Sequence, residues 1–223
     1  MTEPKATDAY EIADTAIRQL NRRTVQMFAY YRNQIQIADF DELNVITDCN
    51  ALYAELDRSA RKKYRELFAL RYMEVFEWLI ALDATSAVIP AEDTVDEIAE
   101  LAIAGLLSEP NPTTHYAWDA EILRKRDKAA EAVNSVSGKG NKQDELARHQ
   151  RYIAAQMGYY ADFASQDAEI QAMKDAGIKR VQRHERDDDK VCRVCRVLDG
   201  KIYDIDKVPP PEHPHCRRWF TKA

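Results

Sequence analysis

The chain has 223 residues, 31 % charged and 45 % hydrophobic, with a formal net charge of −6. That composition is globular rather than disordered, and the length allows one large domain or two small ones. The acidic balance argues against a generic nucleic-acid coat. The lack of an apolar run of about 18 residues argues against a transmembrane span, and the acidic N-terminus MTEPKATDAYEIADTA argues against a signal peptide. Synthesis in the cytoplasm is expected.

With only 6 Gly and 8 Pro, long helices are expected. Thr7 or Asp8 caps a first helix to about Ile37, whose apolar residues Ile17, Leu20, Met27, Phe28, Tyr31 and Ile35 recur every three or four positions. After a break at Asp39–Phe40–Asp41, a second helix is expected over Glu42 to about Leu56, with Cys49 as a buried small hydrophobe. Ser59 caps a third, to about Leu82, whose broad stripe includes Tyr64, Phe68, Trp78 and Leu82. Thr94 and Glu97, at capping-box spacing, open a short helix ending near Leu107.

Ser108-Glu109-Pro110-Asn111-Pro112 reads as a linker, placing a boundary between a helical domain 1–110 and a second domain 111–223. There a helix is expected over His115 to Val133. Its bases Arg124, Lys125, Arg126 and Lys128 alternate with acids, as on a solvated mixed face. The loop Ser135–Asn141 lacks phosphate-loop spacing. A long helix then runs from about Asp144 to Ala176, with Gly177 ending it. A strand follows from Ile178 to His184, and then Asp187-Asp188-Asp189, which without calcium-loop spacing reads as a solvated turn.

The most informative stretch is Val191 to Phe220, VCRVCRVLDGKIYDIDKVPPPEHPHCRRWF. Cys192 and Cys195 form C-x-x-C, and His213 and Cys216 form H-x-x-C, two short pairs that a closed tetrahedral zinc site requires. Between them lie an Asp199-Gly200 turn, a short strand at Ile202, Tyr203 and Ile205, and a stiff return at Pro209–Pro211. So polar a tail buries little apolar surface, and a structural metal would hold it. His213 is the expected fourth ligand, with His215 as the alternative, because a neighbour of Cys216 rarely aims at the same ion. Idle thiols, a redox pair and a disulfide are the competing readings, although no βαβ unit of the thioredoxin kind surrounds the pair.

The order of long helix, strand, C-x-x-C…L-D-G…P-P…H-P-x-C-R resembles the C-terminal domain of phage head-morphogenesis proteins, the Mu F-like minor head proteins, over roughly 113–220. The resemblance implies a minor structural protein of a tailed-phage head, a virion component at the head interior or portal vertex. Its implied partners are the portal protein or the major capsid protein, together with packaged DNA, in head assembly and DNA packaging or ejection. It implies no enzyme and no membrane. Cys192, Cys195, His213 and Cys216 match the family's Cys/His pattern. Relatives commonly end C-R-C, whereas Cys216-Arg217 is followed here by Arg218.

The expected fold is therefore mainly α, with a helical N-terminal half and a long helix leading into a small α+β module, about 178–220, stapled by zinc. Arg217, Arg218 and Trp219 could contact nucleic acid or a partner, or Trp219 and Phe220 could simply pack on the final strand. An independent zinc-containing nucleic-acid-binding module is one alternative function. A phage-borne nuclease or toxin-type enzyme using His149 or His184 is the other.

Overall fold

A computed structural model describes residues 6–37, 42–110, 115–185, 191–211, 216 and 218–223. The protein is mainly helical with a small antiparallel sheet near its C-terminus. In chain order the elements are α1 (Ala6–Ile37), α2 (Glu42–Ala81), α3 (Glu92–Ser108), α4 (Trp118–Ser135), α5 (Lys139–Asp175), β1 (Arg180–Glu185), α6 (Arg193–Leu198), β2 (Ile202–Asp204) and β3 (Arg218–Lys222). A 3-10 turn, Ile205–Lys207, occupies the second half of the expected strand. No helix among the described residues is long and apolar enough to cross a membrane.

The main departure is α2, a single 40-residue helix where two were expected. No Gly or Pro interrupts Asp57–Ser59, and Asp57 accepts from Arg61 Nε at 2.9 and 3.0 Å, one helical turn on. That i,i+4 pair supports continuation through a Ser that read as a cap.

The chain packs into two compact units, neither a continuous segment. The middle unit is Ile17–Lys63 with Leu107–Gly158, and the C-terminal unit is Met1–Ala16, Tyr64–Leu106 and Tyr159–Ala223. They do not follow the division expected at residue 110, because α2 and α5 each contribute to both units. A linker signal marks where helices end; it carries no information about which helices pack together.

The middle unit buries Leu20, Phe28, Leu52, Tyr53, Leu56, Trp118 and Ile153. Trp118 is fully buried and its indole donates to Asp57 Oδ1 at 2.7 Å, so its one polar atom is satisfied. Cys49 is a core residue, as expected, and burial pushes its thiol up to about 12.

In the C-terminal unit, Tyr64, Phe68, Tyr72 and Phe76 of α2 are core residues beside an α5 stripe of Ala161, Ala164, Ala168 and Ala172. Tyr64 is wholly buried, with its ring 6.4 Å from that of Tyr160. Gly177 (φ 79°) ends α5 as expected. Ile178 N donates to Met173 O at 3.0 Å and Gly177 N to Lys174 O at 2.9 Å, the paired bonds of a Schellman cap. The chain then enters β1, the centre of a sheet ordered β2-β1-β3. Val181 pairs with Tyr203 on one side and with Lys222 on the other.

Candidate metal centre

Alternation along β1 decides what the sheet contributes. Val181 and Arg183 are buried and Gln182 and His184 only partly so, and the same period brings Glu185 to the face of Arg183. After the undescribed residues 186–190, the chain re-forms as α6, a short helix that the sequence did not signal. Cys192 is its N-cap: its sulfur accepts from Cys195 N at 3.3 Å. Cys195 is thereby turned inward and buried. The Asp199-Gly200 turn docks back on β1, with Gly200 N donating to Arg183 O at 2.8 Å and Asp199 Oδ1 accepting from Glu185 N at 2.9 Å. Gly200 takes φ 76°, which its lack of a Cβ permits.

Cys216 enters from the other end of the motif. Its carbonyl accepts from Gln166 Nε2 of α5 at 3.2 Å, and its sulfur lies 3.7 Å from that of Cys195. Ligand atoms of Glu185, Cys195 and Cys216 all fall within 4.8 Å of one another, and these three residues could hold a metal ion. Burial, the contact with Cys192 and the neighbouring Cys216 push the Cys195 thiol far up. A cation bound here would have to displace that proton, so binding and deprotonation are coupled.

The counter-charge is built in. Arg183 is fully buried, and its Nε and Nη2 each lie 2.6 Å from Glu185 Oε1. Its Nη2 also reaches to 3.9 Å from Cys216 Sγ. A guanidinium in this position offsets the negative charge that a thiolate–carboxylate set accumulates when it binds a cation.

Of the expected ligands, Cys195 and Cys216 are brought together and Cys192 adjoins them as the helix cap. His213 and His215 lie outside the described residues. Glu185 and Arg183 were missed. The signal available was the alternation V-Q-R-H-E, which places Arg183 and Glu185 on the inner face and His184 on the outer one.

The residues that could have touched nucleic acid or a partner do not form one exposed patch among the described residues. Arg218 is buried, donating to Gln166 Oε1 at 2.7 Å, Pro209 O at 2.7 Å and Pro210 O at 3.2 Å. It clamps the Pro-rich arm to α5 instead of facing solvent. Trp219 is half-buried and stacks on His184, ring centroids 4.5 Å apart, while His184 Nε2 lies 2.8 Å from Thr221 Oγ1. Arg217 and Asp187–Asp189 lie outside the described residues. Comparison with family models, curated proteins and solved structures found no match to the chain.

Proposed function

We propose that the chain is a minor structural protein of a tailed-phage head, associated with the portal and assisting head assembly and DNA packaging or ejection, with a structural zinc stapling its C-terminal module. The observation that supports this most directly is the meeting of the two ends of the cysteine motif. Cys195 and Cys216 place their sulfurs 3.7 Å apart. Two thiolates at roughly 2.3 Å from one zinc, at tetrahedral angles, stand roughly 3.8 Å apart. A disulfide would require roughly 2.05 Å. Glu185 is a third donor, and Cys192, His213 and His215 are candidates for the fourth position.

The head-protein part of the reading rests on the ordered motif C-x-x-C…L-D-G…P-P…H-P-x-C-R and its long preceding helix. A module held rigid by a metal suits a small surface that must keep its shape through assembly. The internal role of Arg218 weighs against an independent nucleic-acid-binding module, and the stacked, hydrogen-bonded His184 weighs against its use as a catalytic base.

The test has two parts. Zinc content of the full-length protein should be about one per chain and should be lost in a Cys195→Ser/Cys216→Ser variant; wild-type protein purified without chelator and lacking zinc would refute the staple. Co-expression with the portal protein of the same phage should then give co-purification. Zinc without co-purification would leave a metal-stapled module and overturn the head assignment.

A further inference from the structure

A cavity of about 360 Å³ opens on the C-terminal unit. It is lined by one stripe of α5, Asp167, Ile170, Gln171 and Lys174, whose spacing places all four on the same helix face. Phe68 of α2, Ile205 of the 3-10 turn and Val208 of the Pro-rich arm supply apolar wall.

Among the described residues, each polar side chain lining this cavity has a hydrogen-bond or ion-pair partner except Asp167. Lys174 Nζ pairs with Asp206 at 3.1 Å, and Gln171 Nε2 donates to Asp175 at 3.0 Å. Gln166 is held at both ends, by Arg218 and by the Cys216 carbonyl. Arg218 is engaged by two proline carbonyls as well as by Gln166. Asp167 has no hydrogen bond or ion pair among the described residues. Crowding by neighbouring atoms pushes its carboxyl up to about 6 against the opposing pull of Arg218 and Lys174, yet it keeps contact with water, which softens that push. At neutral pH it is an exposed anion at a recess whose lining mixes apolar and polar side chains.

We propose that this cavity binds an alkyl cation, an ammonium or guanidinium group on an aliphatic stem, with Asp167 as its counter-ion. The apolar walls accommodate the stem and the carboxylate takes the head, bidentately for a guanidinium. An anionic ligand would have to compete with Asp206 for Lys174 and with Gln166, Pro209 and Pro210 for the N–H donors of Arg218. The volume lies near the lower end of the roughly 300–1,000 Å³ typical of small-ligand sites, which suits a single side chain or a small amine. The proposal depends neither on zinc nor on the head assignment.

The test uses the full-length protein and follows the methyl resonances of Ile170, Ile205 and Val208 by NMR. Three probes are titrated: N-acetyl-arginine methylamide, 1,4-diaminobutane and the neutral N-acetyl-norleucine methylamide. Saturable shifts are expected with the two cations and none with the neutral probe. Affinity should fall about tenfold in Asp167→Asn and be retained in Asp167→Glu, which keeps the charge. Tighter binding of the arginine derivative would assign the cation to a side chain of a partner polypeptide, and tighter binding of the diamine to a free amine. No saturable shift with either cation, or equal affinity in wild type and a folded Asp167→Asn protein, would overturn the proposal.

Discussion

The middle unit and the C-terminal module bury charge in opposite ways. In the middle unit, Glu121 is wholly buried, and its principal partner is Arg124, one turn along the same helix, at 2.7 and 2.8 Å, with Tyr152 OH at 2.6 Å. Most of that neutralisation is local and forms with the helix. In the C-terminal unit, Glu169 is pinned by the Phe220 amide at 2.9 Å and faces Arg71 at 3.5 Å, both from distant parts of the sequence. Glu185 and Arg183 are close in sequence, but the thiols beside them come from α6 and from the residue that precedes β3 by two. Where partners are local, a helix can be stable early. Where they converge from several segments, the polar groups are costly until the whole module closes, and a metal would reward that closure.

Metal removal should separate the two regions most sharply. If zinc occupies the centre, chelation or Cys195→Ser should remove a contribution on the order of 10 kcal/mol from the module. Limited proteolysis should then cut within 186–217 while far-UV circular dichroism retains most of its helical signal; simultaneous loss of both would show that the regions fold as one. Next in size is Arg183→Met, which removes the guanidinium 2.6 Å from the buried Glu185 carboxylate. A cost of about 3–5 kcal/mol is expected, read by denaturant unfolding of the metal-free protein. Glu169→Ala should cost about 2–3 kcal/mol by orphaning the Phe220 amide, with faster hydrogen exchange at that amide as the specific readout.

Smaller effects probe local geometry. Gly177→Ala should cost about 1–2 kcal/mol in thermal unfolding, since any Cβ strains a left-handed cap whatever space surrounds it. The smallest expected effect is a pH dependence. Because the Asp167 carboxyl is raised from 3.8 to about 6 in the folded protein, its contribution is complete below about 3.8 and is lost as pH rises through about 6. The stability difference between wild type and Asp167→Asn should therefore change across that window and be flat above it.

Much of the helical architecture was legible because long amphipathic patterns and Gly177 are local signals. Ser59 misled because Ser tolerates a helix interior when a neighbouring pair such as Asp57–Arg61 continues the turn. Helix α6 was hidden within a six-residue run whose pattern matched a ligand pair better than any helix period. The thiols could be found from spacing alone, but Glu185 could not: its role depends on the β1 register that brings it beside residues from two other segments. Arg218 was offered only as a possible contact, and its internal place was not legible for the same reason: the carbonyls of Pro209 and Pro210 that engage it are brought to it by the fold.

The interleaving of the two units has a topological consequence. Both are assembled from stretches on either side of the turn at Ser137–Gly138. A nick there divides neither unit from the other; it divides each unit within itself. The two fragments would each carry half of two unfinished cores, and each would find its complement only on the other. Cleavage of that one peptide bond should leave a non-covalent heterodimer that migrates as the intact protein until denatured, and the halves expressed separately should be insoluble alone and recover when mixed.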